Sequence, residues 1–250
     1  MIFYFSGAGN SRNVSEKVAA ALGENAIAID DISEKEFYNY KFLDGERLGI
    51  VCAVHFFKLP AIVERFLNRL TLTGKPSFVF TIVTFGTLSG GASHRLREIL
   101  LKKGIHVDAQ HSVRMVDTWT PMFDLSDRVK THQRTLTAQD KISDIALSLT
   151  DGQHGNFDRS KLPRWISDIY YSGYDNKRDT SHFRLISDRC TGCGRCSRHC
   201  PERAISIING KATWIKPKCT ICLRCLHNCP SFAIQYGTKT IKHGQFVNAL

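Results

Sequence analysis

The sequence predicts two domains of different class: a doubly wound α/β domain over roughly the first 150 residues, then a small α+β domain at the C-terminus. Three observations carry this. Short apolar runs alternate with helix-period patterns from residue 2 onward, as in strands joined by crossover helices. The first run breaks into a small-residue loop, Ser6-Gly7-Ala8-Gly9-Asn10-Ser11, directly before a helical pattern. Eight of the nine cysteines fall into two runs of identical spacing between residues 190 and 229.

Residues 2–5 read as a buried strand. Past the loop, Val14, Val18, Ala21 and Leu22 share one helical face. Ala26-Ile27-Ala28-Ile29 is a second strand, closed by Asp30. Arg47 to Val54 is a third, apolar enough to be central. His55-Phe56-Phe57 then leads to Pro60, a good helix opener, with Ile62, Val63, Phe66, Leu67 and Leu70 on the buried face. Ser77–Thr84 is a fourth strand, ending in Phe85-Gly86-Thr87 before a helix through Leu96, Ile99 and Leu100. A fifth strand is expected near Ile105 to Met115. An irregular stretch with Asp117, Trp119 and Pro121 follows, then a helix from about Asp127 to Leu149. Five parallel strands in the order 2-1-3-4-5 leave a crevice between the ends of strands 1 and 3.

Strand, small-residue loop and helix together present backbone N–H groups to a phosphate. A Walker loop is excluded, because Gly-Lys-Ser/Thr is absent. A dinucleotide fingerprint is a rival: Gly7-x-Gly9 is followed by Asp30, although Arg12 stands where a third glycine belongs. The third reading is a resemblance. Ser6, Gly9, Asn10 and Ser11 match the flavin mononucleotide (FMN) phosphate loop of flavodoxins, with Ala8 in place of a hydroxyl residue. That resemblance implies FMN held by Ser6, Gly7, Ala8, Gly9, Asn10 and Ser11. It also implies a ring-stacking aromatic from His55, Phe56 or Phe57, and a third contact loop at Thr84, Phe85 and Gly86. Trp119 is a candidate to cover the flavin, or to pack.

The cysteine runs are Cys190, Cys193, Cys196, Cys200 and Cys219, Cys222, Cys225, Cys229. Each has the form C-x2-C-x2-C-x3-C-P and closes on proline. Zinc sites use paired C-x2-C, and disulfides need an oxidising compartment, so neither fits. The spacing resembles bacterial two-cluster ferredoxins. The resemblance implies two [4Fe–4S] clusters with crossed ligation. Cys190, Cys193, Cys196 and Cys229 hold one; Cys219, Cys222, Cys225 and Cys200 hold the other. The runs align without a gap, and Asn209-Gly210 between them signals a hairpin. His199 and His227 are expected in solvated loops. Cys52, in an apolar strand, is expected to be an inert core thiol.

Taken whole, the chain resembles flavodoxin–ferredoxin fusion proteins. The expected domains are a flavodoxin-like 1–150, a connector 151–183 packed across the boundary through Trp165, Tyr170 and Tyr171, and a ferredoxin 184–250. The formal net charge of +11 invites a nucleic-acid reading, but no recognised motif supports one. Bound cofactors would bring the balance down to roughly +5, enough to steer an acidic redox partner. No apolar run is long enough for a transmembrane helix, and the N-terminus lacks a signal-peptide pattern, so a cytoplasmic location is expected. No catalytic acid, base or nucleophile stands out. The expected function is electron transfer between clusters, FMN and a partner protein. The alternatives are an oxidoreductase acting on a small molecule or nicotinamide at the flavin, and a redox sensor.

Overall fold

The computed structural model describes residues 1–32, 39–159 and 162–248. Its larger half is built on β1 (Ile2–Phe5), β2 (Ala26–Ala28), a small side strand β3 (Asn39–Lys41) and β4 (Leu48–Ala53). A second side strand β5 (Thr71–Thr73), then β6 (Val79–Phe85), β7 (Ala109–Arg114) and β8 (Gly155–Asn156) complete it. One parallel sheet runs β2-β1-β4-β6-β7-β8, while β3 and β5 pair beside it. Its first five strands have the expected 2-1-3-4-5 order. The sixth, β8, was not expected. Two residues of the connector add to the edge, held by Gly155 N–H to Asp108 O (2.9 Å) and Phe157 N–H to Gln110 O (2.8 Å). A polar Gly-Asn pair has no apolar pattern to reveal it, because only its backbone takes part.

The strands alternate their faces, so adjacent residues serve opposite cores. Phe3, Phe5, Ile50 and Cys52 face helices α2 (Ala61–Arg69) and α3 (Ala92–Leu101) through Val63, Phe66, Leu96 and Leu100. Ile2, Val51, Phe80 and Ile82 face α1 (Asn10–Leu22) and α4 (Arg128–Thr150) through Val14, Val18, Ile142 and Ile145. Cys52 is fully buried, and loss of solvent pushes its thiol up to about 12, so it stays protonated. Among the described residues, no helix is long and apolar enough to cross a membrane.

The connector forms α5 (Arg164–Ser172) and α6 (Tyr174–Lys177). The small half then folds as β9 (Phe183–Leu185), α7 (Arg195–Arg198), the hairpin β10 (Ile205–Ile208) and β11 (Lys211–Trp214), α8 (Arg224–His227), β12 (Ile234–Tyr236) and α9 (Thr240–His243). Asn209 and Gly210 turn the hairpin at φ 50° and 71°, the left-handed pair that Asn-Gly tolerates. β12 returns antiparallel to β9. The first and last segments of the small half are thereby joined, and the two cysteine runs are brought face to face.

Candidate functional site

The C-terminal ends of β1, β4, β6 and β7 open into a cavity of about 240 Å³. Asn10, His55, Phe56, Phe57, Thr84, Phe85, Gly86 and Trp119 all lie on its wall. Three sequence-distant loops meet there because they follow strands that are neighbours at the switch in sheet order. Ser6, Gly7, Ala8, Gly9 and Ser11 lie behind this wall, in the turn that starts α1. Two of their hydroxyls are engaged within the fold. Ser11 Oγ pairs with Thr84 Oγ1 at 2.8 Å, and Ser6 Oγ accepts from Gly9 N–H at 3.1 Å. Ala8 is buried with Val116, Leu125 and Phe246, which accounts for a methyl where the flavodoxin pattern has a hydroxyl.

The aromatic loop is a strained two-residue turn. His55 N–H bonds Lys58 O and Lys58 N–H bonds His55 O, both at 2.9 Å. Phe56 and Phe57, between them, take φ 49° and 63°. Such turns normally carry Asn-Gly, and a side chain there costs on the order of 1–2 kcal/mol per residue. Four contacts hold the turn. Phe56 packs on Trp119 (5.3 Å) and Tyr174 (5.5 Å), Phe57 packs on Tyr170 (5.0 Å), and Gly91 N–H bonds Phe57 O (2.8 Å). Gly90 makes room: a Cβ there would lie 2.4 Å from that of Phe57. Strain kept in place by its surroundings points to a functional position. Beside the turn, desolvation pushes His55 down to about 4, so its ring is neutral near pH 7.

Sequence reasoning did not assign a role to Asp117, which also lines the cavity. Its carboxylate accepts from Trp119 N–H and Thr87 Oγ1, both at 3.1 Å, and desolvation raises its pKa. Gly86 admits it, since a Cβ there would approach Asp117 to 2.2 Å. The available signal was position: Asp117 follows β7 at the end of the sheet where ligands bind.

The cysteines line two smaller cavities. Cys190, Cys193, Cys196 and Cys229 border one; Cys200, Cys219, Cys222 and Cys225 border the other. Each cavity thus draws three cysteines from one run and one from the other. Backbone amides point at the sulfurs in equivalent places: Ala204 N–H to Cys200 Sγ (3.3 Å) and Ala233 N–H to Cys229 Sγ (3.2 Å). Burial pushes Cys222 up to about 11, Cys219 up to about 12 and Cys225 well above its usual value. Thiolates at these positions therefore need a cationic core beside them, which an iron–sulfur cluster supplies. Among the described residues, no three His, Cys, Asp or Glu side chains are grouped for a single metal ion.

The two halves dock closely. Arg224 of α8 reaches across to pair with Asp30, donates to Ser6 O (2.6 Å) and covers the Phe5 ring at 5.8 Å. Asp30, the acidic residue of the dinucleotide reading, is thereby committed to the small half. Gly7 admits Cys222, whose carbonyl would lie 2.4 Å from a Cβ at that position; Gly9 admits Asn248 in the same way, at 2.6 Å. His227 is not in solvent as expected. It is buried, with Nε2 donating to Thr118 O (2.9 Å) and Nδ1 accepting from Phe246 N–H (3.3 Å). Its position inside a cysteine run hid this, because the contact depends on how the halves meet. His199 is exposed as expected. In the connector, Tyr174 is a docking residue beside the expected Tyr170 and Tyr171, 2% exposed and bonded to Ala61 N–H (3.2 Å) and Thr220 O (3.1 Å). Tyr171 stacks on it at 5.0 Å, while Trp165 stands 65% exposed.

The residues present fit both cofactors: thiolate quartets around cavities, and an aromatic cavity beside a helix N-terminus. Two domain families match this chain. Residues 1–141 match the flavodoxin domain family, and residues 182–242 match the 4Fe-4S dicluster domain family. An uncharacterized protein of Methanocaldococcus jannaschii is 24% identical over 98 residues, which is 39% of this chain and 62% of that protein's length. Among solved structures, the two-electron reduced flavodoxin of Megasphaera elsdenii matches with TM-score 0.36 and 19% identity, over 44% of this chain and 82% of that one. The Fusobacterium nucleatum flavodoxin bound to flavin mononucleotide matches with TM-score 0.33 and 15% identity, over 59% and 96%. Since the match at residues 1–141 spans more than half of its length, the chain belongs to the flavodoxin domain family, and it carries a 4Fe-4S dicluster domain behind it.

Proposed function

We propose that this protein relays electrons within one molecule, between two [4Fe–4S] clusters and FMN, and exchanges them with a redox partner protein. In this reading FMN occupies the 240 Å³ cavity, with its phosphate at the loop of residues 6–11 and its ring among Phe56, Phe57, Thr84–Gly86 and Trp119. The clusters occupy the two cysteine cavities with the crossed quartets given above. Residues 1–150 carry the flavin, 184–250 the clusters, and 151–183 clamps them together. The observation that carries the proposal is a shared wall: Cys222 borders both the flavin cavity and the second cysteine cavity. A cluster exchanges one electron and a flavin one or two, so the pair joins one-electron and two-electron partners. Cys193, at the first cavity, is exposed and flanked by Arg195 and Arg198. This basic rim favours an acidic partner at the outer cluster.

The test is rapid reduction of the clusters by a one-electron donor, with flavin reduction followed optically. A rate independent of protein concentration is expected. A rate that rises in proportion to concentration would mean that the halves exchange electrons only between molecules. Steady consumption of NAD(P)H by the protein alone would favour the oxidoreductase reading instead.

A further inference from the structure

The two cysteine runs differ at two positions where the shared backbone resists the difference. The first reads Cys-Thr-Gly-Cys-Gly-Arg-Cys from 190, and the second Cys-Thr-Ile-Cys-Leu-Arg-Cys from 219. In the first, Gly192 and Gly194 adopt φ 66° and 72°. In the second, Ile221 and Leu223 hold the same left-handed conformation at φ 48° and 53°. A β-branched isoleucine is among the residues least suited to it. Glycine would remove the strain, and the first run demonstrates that glycine supports the motif.

The location of the two side chains supplies a reason. Both are buried, 3% and 2% exposed. With Cys222 they form the stretch that borders the flavin cavity on one side and the second cysteine cavity on the other. The corresponding stretch of the first run borders only its own cavity, and Cys193 there faces solvent. The repeat is therefore polar. One copy turns two aliphatic side chains toward the flavin cavity, and the other keeps glycines and lies open.

We propose that Ile221 and Leu223 are flavin-contacting residues, an apolar partition that seats the ring against the second cluster and keeps water out of the gap. The inference rests on the reading that FMN occupies this cavity. It assigns the second cluster to the flavin side and the first to the outer partner. An apolar wall suits the flat apolar face of a flavin and holds the local dielectric low between the two centres.

The test uses the full-length protein with both clusters in place. The double variant Ile221→Gly with Leu223→Gly converts the second run into the sequence of the first, so iron and sulfide content is expected to stay at the wild-type level. After FMN is stripped, its dissociation constant is measured by flavin fluorescence titration, and its accessibility by iodide quenching. The expected result is binding at least about tenfold weaker, together with stronger quenching; tenfold corresponds to about 1.4 kcal/mol. Leu223→Met, which keeps volume and apolarity, should bind FMN nearly as the wild type does. If the glycine variant loses iron, Leu223→Asn decides the matter, since asparagine tolerates φ above zero and is polar; it too should weaken binding. Unchanged affinity and quenching in an iron-replete variant would overturn the proposal and leave these residues as interdomain packing. A wild-type protein that takes up no FMN would overturn the flavin reading itself, a result distinct from equal binding by both proteins.

Discussion

Asp30 offers a clean way to ask whether the two halves act as one body. It lies 194 residues from Arg224 in sequence and is not one of the eight cysteines, so its replacement tests docking with every cluster ligand retained. Asp30→Ala leaves a guanidinium that is only 17% exposed without its counter-charge. Breaking a buried ion pair from one side typically costs about 3–5 kcal/mol. Arg224 keeps bonds to Ser6 O (2.6 Å) and His199 O (3.2 Å), so the lower end, about 3 kcal/mol, is expected. That is roughly two decades in an equilibrium constant. The assay is anaerobic urea unfolding of the holoprotein, with flavin fluorescence reporting the larger half and visible cluster absorbance the smaller. In the wild type the two signals should be lost together. In the variant, cluster loss should move to lower urea than flavin release, and at fixed urea it should speed up by as much as about a hundredfold. Asp30→Asn, which keeps an acceptor, should fall between. Coincident transitions and a cluster-loss rate within about twofold of wild type would refute the view that this pair fastens the halves.

Other consequences are direct. Phe56→Gly should weaken FMN binding, read by fluorescence titration, while changing stability by no more than about 1 kcal/mol, because relief of left-handed strain offsets lost ring packing. Tyr174→Phe should destabilise docking by about 1–2 kcal/mol in the same urea experiment, since it removes the hydroxyl bonded to Thr220 O and Ala61 N–H. Trp165→Ser should stay within about 0.5 kcal/mol. His111 is buried against Phe157, its Nε2 has no hydrogen-bond partner among the described residues, and burial first, then Lys141, pushes it down to about 4. Its folded value lies below the unfolded one of about 6.5, so the unfolded chain binds the extra proton. Its contribution to stability is therefore present above pH 6.5 and lost as pH falls toward 4, on the order of 3 kcal/mol in all. His111→Phe should flatten the urea midpoint over that range; an unchanged slope would mean that the ring is not neutral in the folded state.

What was legible in the sequence follows from what each feature depends on. The parallel sheet could be read because β4 and β6 are buried on both faces and so run nearly unbroken in apolar residues. The cysteine quartets could be read because their spacing is local. Contacts made where two surfaces meet left weaker traces. Arg224, His227 and Asn248 look like ordinary polar residues in sequence, and only docking gives them partners on the larger half. Tyr174 was passed over for Trp165 because size and aromaticity were weighed without the helix face on which each lies. The Phe56-Phe57 turn was found as an aromatic loop, but its strain was not, since nothing in Phe-Phe announces positive φ.

The glycines of the first loop serve both halves of the molecule. Gly7 and Gly9 were read as room for a phosphate, a need met by any small residue where the backbone must approach a ligand. In the folded protein the Cα of each also faces a carbonyl of the small half, Cys222 O and Asn248 O. One short loop therefore answers to two neighbours, the helix N-terminus on one side and the cluster domain on the other. A methyl at Gly7 would press on the segment that separates the two cavities and displace Cys222 from the flavin side. Gly7→Ala should thus slow flavin reduction by the clusters in rapid mixing while leaving iron content near wild type. Ala at a position needed only for phosphate approach would instead weaken FMN binding and leave the transfer rate in flavin-loaded protein unchanged. The two outcomes separate the loop's duties by experiment, and the short approach to Cys222 favours the first.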